Sequence, residues 1–239
     1  MSIKFSQILS SILLSTLLPF SNAIAADDAA EFAIRWNPRD GGPKTGTEVI
    51  QQLQLPPTDD TEQYKVSYFS VAAPVDLPSG YSVIARQRTK GKKTQLTIKY
   101  RGATPLPDTF VDTWQCPLGV DAKIKYEVDI AFLPNAEVKK AYSLSCSIKT
   151  KEDIAFPSEL NAKPVGCESK MLRYESDDIK IEEWTFYPDE EKLIEVSKSA
   201  RDNKHDLDEF NTNVASRLIL SGINPLISSK SAASIDCVK

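Results

Sequence analysis

The chain of 239 residues is 41% hydrophobic and 26% charged, with 9 Gly and 15 Pro. This excludes collagenous, low-complexity and wholly disordered classes and is ample for one buried core. Lys and Arg number 29 against 33 Asp and Glu, for a net charge of −4, which excludes a generally basic surface for gripping nucleic acid; any anion site must be local.

At the amino terminus Lys4 precedes an apolar run from Ile8 to Phe20 and the small-x-small triplet Ala23-Ile24-Ala25. This order predicts a secretory signal peptide over 1–25, cleaved near Ala25, with 26–239 as a single domain. The run is too short to span a bilayer, and no later stretch approaches the roughly 20 consecutive apolar residues a spanning helix needs. The expectation is export to the periplasm or beyond, without a membrane anchor. All four cysteines, Cys116, Cys146, Cys167 and Cys237, follow the leader, and an oxidising compartment favours two disulfides. Three pairings are open; Cys116 with Cys146, tying neighbouring strands, and Cys167 with Cys237, stapling the tail, are favoured. A zinc site is disfavoured, because there is no C-x-x-C and His205 is the single histidine.

Glu31 to Trp36 alternates, with Phe32, Ile34 and Trp36 on one side, and predicts a strand. Gly41-Gly42-Pro43-Lys44-Thr45-Gly46-Thr47 follows and fails the phosphate-loop spacing G-x-x-x-x-G-K-[ST]. Thr45 and Glu48 instead have capping-box spacing ahead of a short helix. Tyr64–Val71, Tyr81–Thr89 and Gln95–Arg101 read as strands, the last two joined by a turn at Lys90-Gly91-Lys92. Ala122–Phe132 alternates cleanly and Ala141–Lys149 is its expected partner, whereas 150–170 reads as irregular. Met171–Glu175, Lys180–Tyr187 and Lys192–Lys198 are further strands. Leu207, Phe210, Val214 and Leu218 recur at helical spacing, with Asp206 and Glu209 placed as a cap and Gly222 as a stop. The total is about eight strands and two or three helices.

Residues two apart on a strand share a face. Arg86 therefore lies with Arg88, Thr97 with Lys99 and Arg101, and Lys123 and Lys125 with Glu127 and Asp129, while Arg173 with Glu175, then Glu182 or Glu183, then Glu195 with Ser197 mark later strands. An antiparallel sheet with one solvated charged face is the plain reading. Paired Arg and Lys at spacing two also suit a polyanion, with carboxylates placed for a divalent cation.

The order Glu31-Phe32-Ala33-Ile34-Arg35-Trp36, Arg86-x-Arg88, Leu96-Thr97-Ile98-Lys99-Tyr100-Arg101, Lys180–Trp184 and Leu193–Ser197 resembles the CYTH family, the triphosphate tunnel metalloenzymes. Members include class IV adenylate cyclases, thiamine triphosphatases and inorganic triphosphatases. The resemblance implies an α+β fold: an antiparallel, eight-stranded, tunnel-like β-barrel, two or three outer helices, and charged residues pointing inward. It implies that Arg35, Arg86, Arg88, Lys99, Arg101 and Arg173 grip phosphates. It further implies that Glu31, Glu127, Asp129, Glu182 and Glu195 hold Mg or Mn. Two positions depart from the family's pattern. The opening E-x-E-x-K stands here as Glu31, Ala33 and Arg35, and a methyl group coordinates nothing; the late pair of acids stands as Glu195-x-Ser197. The expectation is a protein that binds a triphosphate or polyphosphate with a divalent metal and hydrolyses it. The alternative is an anion-binding module that has lost turnover, and a third reading is an interaction protein whose charged faces meet water.

Overall fold

The computed structural model describes residues 29–237, so the signal peptide expected over 1–25 lies outside the described residues. Nine strands close into one barrel in the order β1-β5-β6-β4-β3-β2-β7-β8-β9. They are β1 (Ala29–Trp36), β2 (Thr61–Ser70), β3 (Ser82–Lys90), β4 (Lys93–Gly102), β5 (Lys123–Phe132), β6 (Val138–Thr150), β7 (Lys163–Ser176), β8 (Ile179–Phe186) and β9 (Glu191–Arg201). The expected eight-stranded, purely antiparallel barrel is thus corrected to nine strands of mixed direction. Neighbours can alternate direction around a closed ring only when their number is even. A ring of nine forces one like-directed pair, and β1 beside β5 is that pair, while β9 closes on β1 antiparallel.

Short helices connect and cover the strands: α1 (Gly46–Leu53), α2 (Asp108–Thr113), α3 (Lys204–Phe210), α4 (Ser216–Leu220) and α5 (Lys230–Ile235). They outnumber the two or three expected, because α2 and α5 are too short to show a helical period in sequence. The Thr45 side chain caps α1 by accepting from the Glu48 amide at 3.2 Å. The cap of α3 is Asn203 rather than Asp206: Asn203 accepts from the Asp206 amide at 2.8 Å, and the Asp206 carboxylate turns back to the amide of Arg201. A single π turn over Asn211–Ala215 carries α3 into α4, and Gly222, at φ +92°, ends it.

The apolar side of the barrel faces outward. Phe32, Ile34, Trp36, Ile130, Phe132 and Val196 are buried beneath Val49 and Leu53 of α1 and Phe210, Val214 and Leu218 of the α3–α4 segment. Each large apolar side chain so buried contributes roughly 1.5–3 kcal/mol. On the opposite flank, Tyr100 and Leu144 are covered by the connection that carries α2, with Phe110 and Trp114, and Cys116–Cys146 ties that connection to β6. Cys167–Cys237 joins β7 to the end of the chain. Two disulfides suit an oxidising compartment, and among the described residues no helix is long and apolar enough to cross a membrane.

The stretch expected to be irregular contains the start of β7. Pro164 sits at its beginning, where a missing N–H is tolerated. Gly166, at φ +65°, lies where β7 bulges: β2 advances from Val66 to Tyr68 while its partners pass from Ser169 to Val165.

Candidate functional site

Because outward positions are apolar, the alternate positions turn inward, and the lumen is charged through its middle. Four in-register residues on adjacent strands make a belt: Arg173 of β7 faces Glu182 of β8, Glu182 faces Glu195 of β9, and Glu195 faces Arg35 of β1. Glu182 is 3% exposed and Glu195 is fully buried. Two adjacent carboxylates at that depth need cations around them. Arg173 donates to Glu182 at 2.7 Å and Arg35 to Glu195. Lys230 of α5 enters between them, its Nζ 2.7 Å from Glu182 Oε2 and 2.5 Å from Glu195 Oε1. The indole of Trp184 donates to Glu182 at 3.2 Å.

Burial acts to raise the Glu182 carboxyl, yet Lys230, Arg88 and Arg173 together hold it well below its ordinary 4.5. Its folded-state value being depressed, the stabilisation it provides is complete above about pH 4.5 and is lost as pH falls below that value. Urea midpoints taken downward from neutral pH are therefore expected to fall through this window, and Glu182→Gln should flatten the slope; a midpoint indifferent to acid would contradict the assignment.

The second cluster lies across β1, β5 and β4. Glu31 faces Asp129 in register, Glu127 shares that face of β5, and carboxylate oxygens of all three lie within 4.8 Å of one another. Lys99 Nζ is 2.9 Å from Asp129 and 3.5 Å from Glu127, Arg101 Nε is 3.2 Å from Asp129, and Lys125 pairs with Glu127. Burial opposes ionisation of Asp129, but Lys99 and Arg101 bring its carboxyl below the usual range. Among the described residues Glu31 has no direct ion-pair partner, and buried Glu127 Oε2 and Asp129 Oδ2 lack a well-aligned hydrogen bond. Three carboxylates this close offer hard oxygen donors for a divalent cation, Glu31 without an ion pair among the described residues, while a metal there would compete with Lys99, Arg101 and Lys125 for Asp129 and Glu127. Glu182 and Glu195 leave less room, because Lys230 bridges them and Arg173 and Arg35 pair with their remaining oxygens. Ala33 and Ser197, the two positions that depart from the family's acids, are direct cross-strand neighbours, so one spot in the lumen lacks both carboxylates.

On the inner face of β3, Arg86 and Arg88 outnumber the acids that reach them. Among the described residues Arg86 has neither an ion pair nor a hydrogen bond, and its Nε is buried. Arg88 is 8% exposed; its Nη2 lies 3.6 Å from Glu182, while its Nε has no acceptor. Burial, and then the neighbouring Arg86, bring the Arg88 guanidinium down to about 10, against the pull of Glu182; it remains cationic at neutral pH. Thr97 Oγ1, opposite Arg86 in register, is also buried without a partner. Arg86 and Thr97 share a cavity of about 70 Å³ with Glu31, Arg35, Tyr68, Lys99, Arg101 and Asp129.

Every residue expected to grip phosphate or metal thus lies on the lumen side, in one linked set of charges. The sequence reading missed Lys230, Ser229 and Ser231, which also line the cavity. Their signal was the tail cysteine, Cys237, which draws a Ser/Ala-rich segment without periodicity against β7. Outside the barrel, His205, Asp206 and Glu209 lie close together, but Glu209 pairs with Lys198 and Asp206 serves the Arg201 amide.

No protein-family model matches the chain, and no curated protein does. Solved structures similar to it include PH1012 from Pyrococcus horikoshii OT3, at 15% identity and TM-score 0.47, covering 87% of this chain and 99% of that one. A Vibrio parahaemolyticus protein ascribed adenylate cyclase activity matches at 10% identity and TM-score 0.45, over 84% of this chain and 95% of its own. The Hippeastrum protein HpAC1, ascribed adenylyl cyclase activity and described as having a dominant triphosphatase activity, matches at 12% identity and TM-score 0.41, over 86% and 94%.

Proposed function

We propose that the barrel is a divergent, exported CYTH-like protein whose lumen binds a linear polyanion, a triphosphate or polyphosphate. The observation that carries this is the pair Arg86 and Arg88, like charges side by side on one wall: half-buried Arg86 has no ion pair among the described residues, buried Arg88 has Glu182 at 3.6 Å, and both Nε atoms and Thr97 Oγ1 lack an acceptor or donor partner. Buried guanidinium N–H groups without an acceptor are costly unless an anion completes them, and planar guanidinium forks match phosphoryl oxygens. Lys99 and Arg101 extend the cationic wall toward Glu31, Glu127 and Asp129. A divalent ion on that acid trio would neutralise phosphoryl oxygens and polarise the phosphorus for attack by water. The residues themselves bind and orient the chain of phosphates and exclude solvent from it.

The neutral patch at Ala33 and Ser197, together with the filled Glu182–Glu195 pair, favours a second reading, a module that binds the anion without turning it over. Calorimetry with inorganic tripolyphosphate, beside phosphate release measured with and without Mg or Mn, separates the two. Binding with metal-dependent release supports the hydrolase, binding without release supports the module, and no binding to any form of the protein rejects both.

A further inference from the structure

Resting on the polyanion reading of the lumen, we propose that the C-terminal segment 225–237 is a disulfide-latched plug that closes the barrel at one mouth. Its Lys230 occupies the Glu182–Glu195 pair as a resident cation.

The lumen continues beyond the charged belt into an apolar end. Trp184 and Phe186 share the face of Glu182, Leu193 that of Glu195, and Met171 that of Arg173; these side chains pack with Val66 and Tyr68. Leu226 and Ala233 of the tail pack against this same cluster. The tail enters the mouth pinned to β1: Pro225 bridges to Trp36, and the Leu226 amide donates to the Arg35 carbonyl at 2.7 Å.

The far end is pinned to β7. Cys237 is bonded to Cys167, and the fully buried Ser234 hydroxyl donates to the Cys167 carbonyl at 3.0 Å. Gly166 leaves the space that α5 uses, since a Cβ there would stand 2.0 Å from the Ser234 carbonyl oxygen. A six-residue helix has no stability of its own, so α5 persists because of these attachments and the seat of Lys230.

With the plug in place, the cavity of about 70 Å³ has Ser229, Lys230 and Ser231 in its wall. With those three residues standing in it, the space is too narrow for three linked phosphoryl groups. Admission of a polyanion by this mouth therefore requires the tail to leave, and the latch decides when it can. A dithiol opens the latch by exchange. The Cys167–Cys237 S–S bond breaks, two S–H groups form, and the dithiol closes to its own disulfide, supplying two electrons and two protons.

The test uses the full chain in its oxidised form, after treatment with dithiothreitol, and as the Cys167→Ser/Cys237→Ser variant. Amide hydrogen exchange over 226–237 is expected to accelerate at least 10-fold in the latter two, with the strands still protected. Tripolyphosphate should bind at least 10-fold more tightly or faster to them than to the oxidised protein. If the double variant does not fold, Gly166→Ala displaces α5 with the disulfide intact and should produce the same opening. Unchanged tail protection on reduction overturns the plug, as does tripolyphosphate binding to the oxidised protein at undiminished strength, which would leave the polyanion reading intact. A tail that opens while no form binds tripolyphosphate supports the plug and removes the polyanion reading.

Discussion

Glu195→Ala is expected to destabilise the protein by about 3–5 kcal/mol, the range for removing one member of a buried ion pair. For a barrel of this size that is a fall of roughly 6–20 °C in Tm. The cost lies in what remains. Arg35, 6% exposed, and Lys230 both place a charged nitrogen on Glu195, and both lie too deep for water to replace the carboxylate. Burial pulls the Lys230 ammonium down, but Glu182 and Glu195 outweigh it and raise the ammonium above its ordinary value, so it does not readily shed the stranded charge. Combining Glu195→Ala with Lys230→Met should recover part of the loss, because the second change removes a cation that then has only Glu182, already shared with Arg173 and Arg88, to balance it. Urea midpoints of the four proteins give the coupling directly. A loss below about 1 kcal/mol would place the pair among solvent-screened ones and end the account of a closed belt.

Arg86→Ala and Arg88→Ala together should have the opposite signature, with large loss of ligand and small loss of fold. Each charge-assisted hydrogen bond to a phosphoryl oxygen contributes roughly 1.5–3 kcal/mol, so losing both arginines should weaken tripolyphosphate binding by about 100-fold or more. Arg86 has no acid to strand, and its charge opposes that of Arg88. Arg86→Ala alone should therefore leave the urea midpoint unchanged or raise it slightly. Calorimetry and denaturation on the same preparations decide. Intact binding beside a collapsed midpoint would make these arginines structural and remove the support for an anion site.

The face on which each charge lies was legible from the chain itself. A strand has period 2, so Arg86 with Arg88, Lys99 with Arg101, and Glu127 with Asp129 were assigned to common sides without any knowledge of pairing. The helix beginning after Thr45 was equally legible, since a capping side chain acts on a backbone group three residues away. Element bounds were less so near Pro164 and Gly166, because the bulge there serves α5, a segment some 70 positions along the chain. Lys230 was invisible for the same reason. The Ser229 cap, accepting from the Ala232 amide, is the local mark of a helix there and is too common among serines to single one out, and the Lys230 partners Glu182 and Glu195 lie on strands that only closure of the ring brings beneath it.

The amino-acid order by itself determined the alternation that separates an apolar coat from a charged lining, and it supplied the residue types a phosphate and a divalent ion require. Tertiary structure alone decided which charges cancel: Glu182 and Glu195 are filled by Arg173, Arg35 and Lys230, whereas Arg86 and Glu31 are left without an ion pair among the described residues. Local periodicity fixes a side chain's direction, but the energy of a buried charge depends on whatever stands within a few ångströms of it. In a closed barrel those neighbours come from strands far apart in the chain.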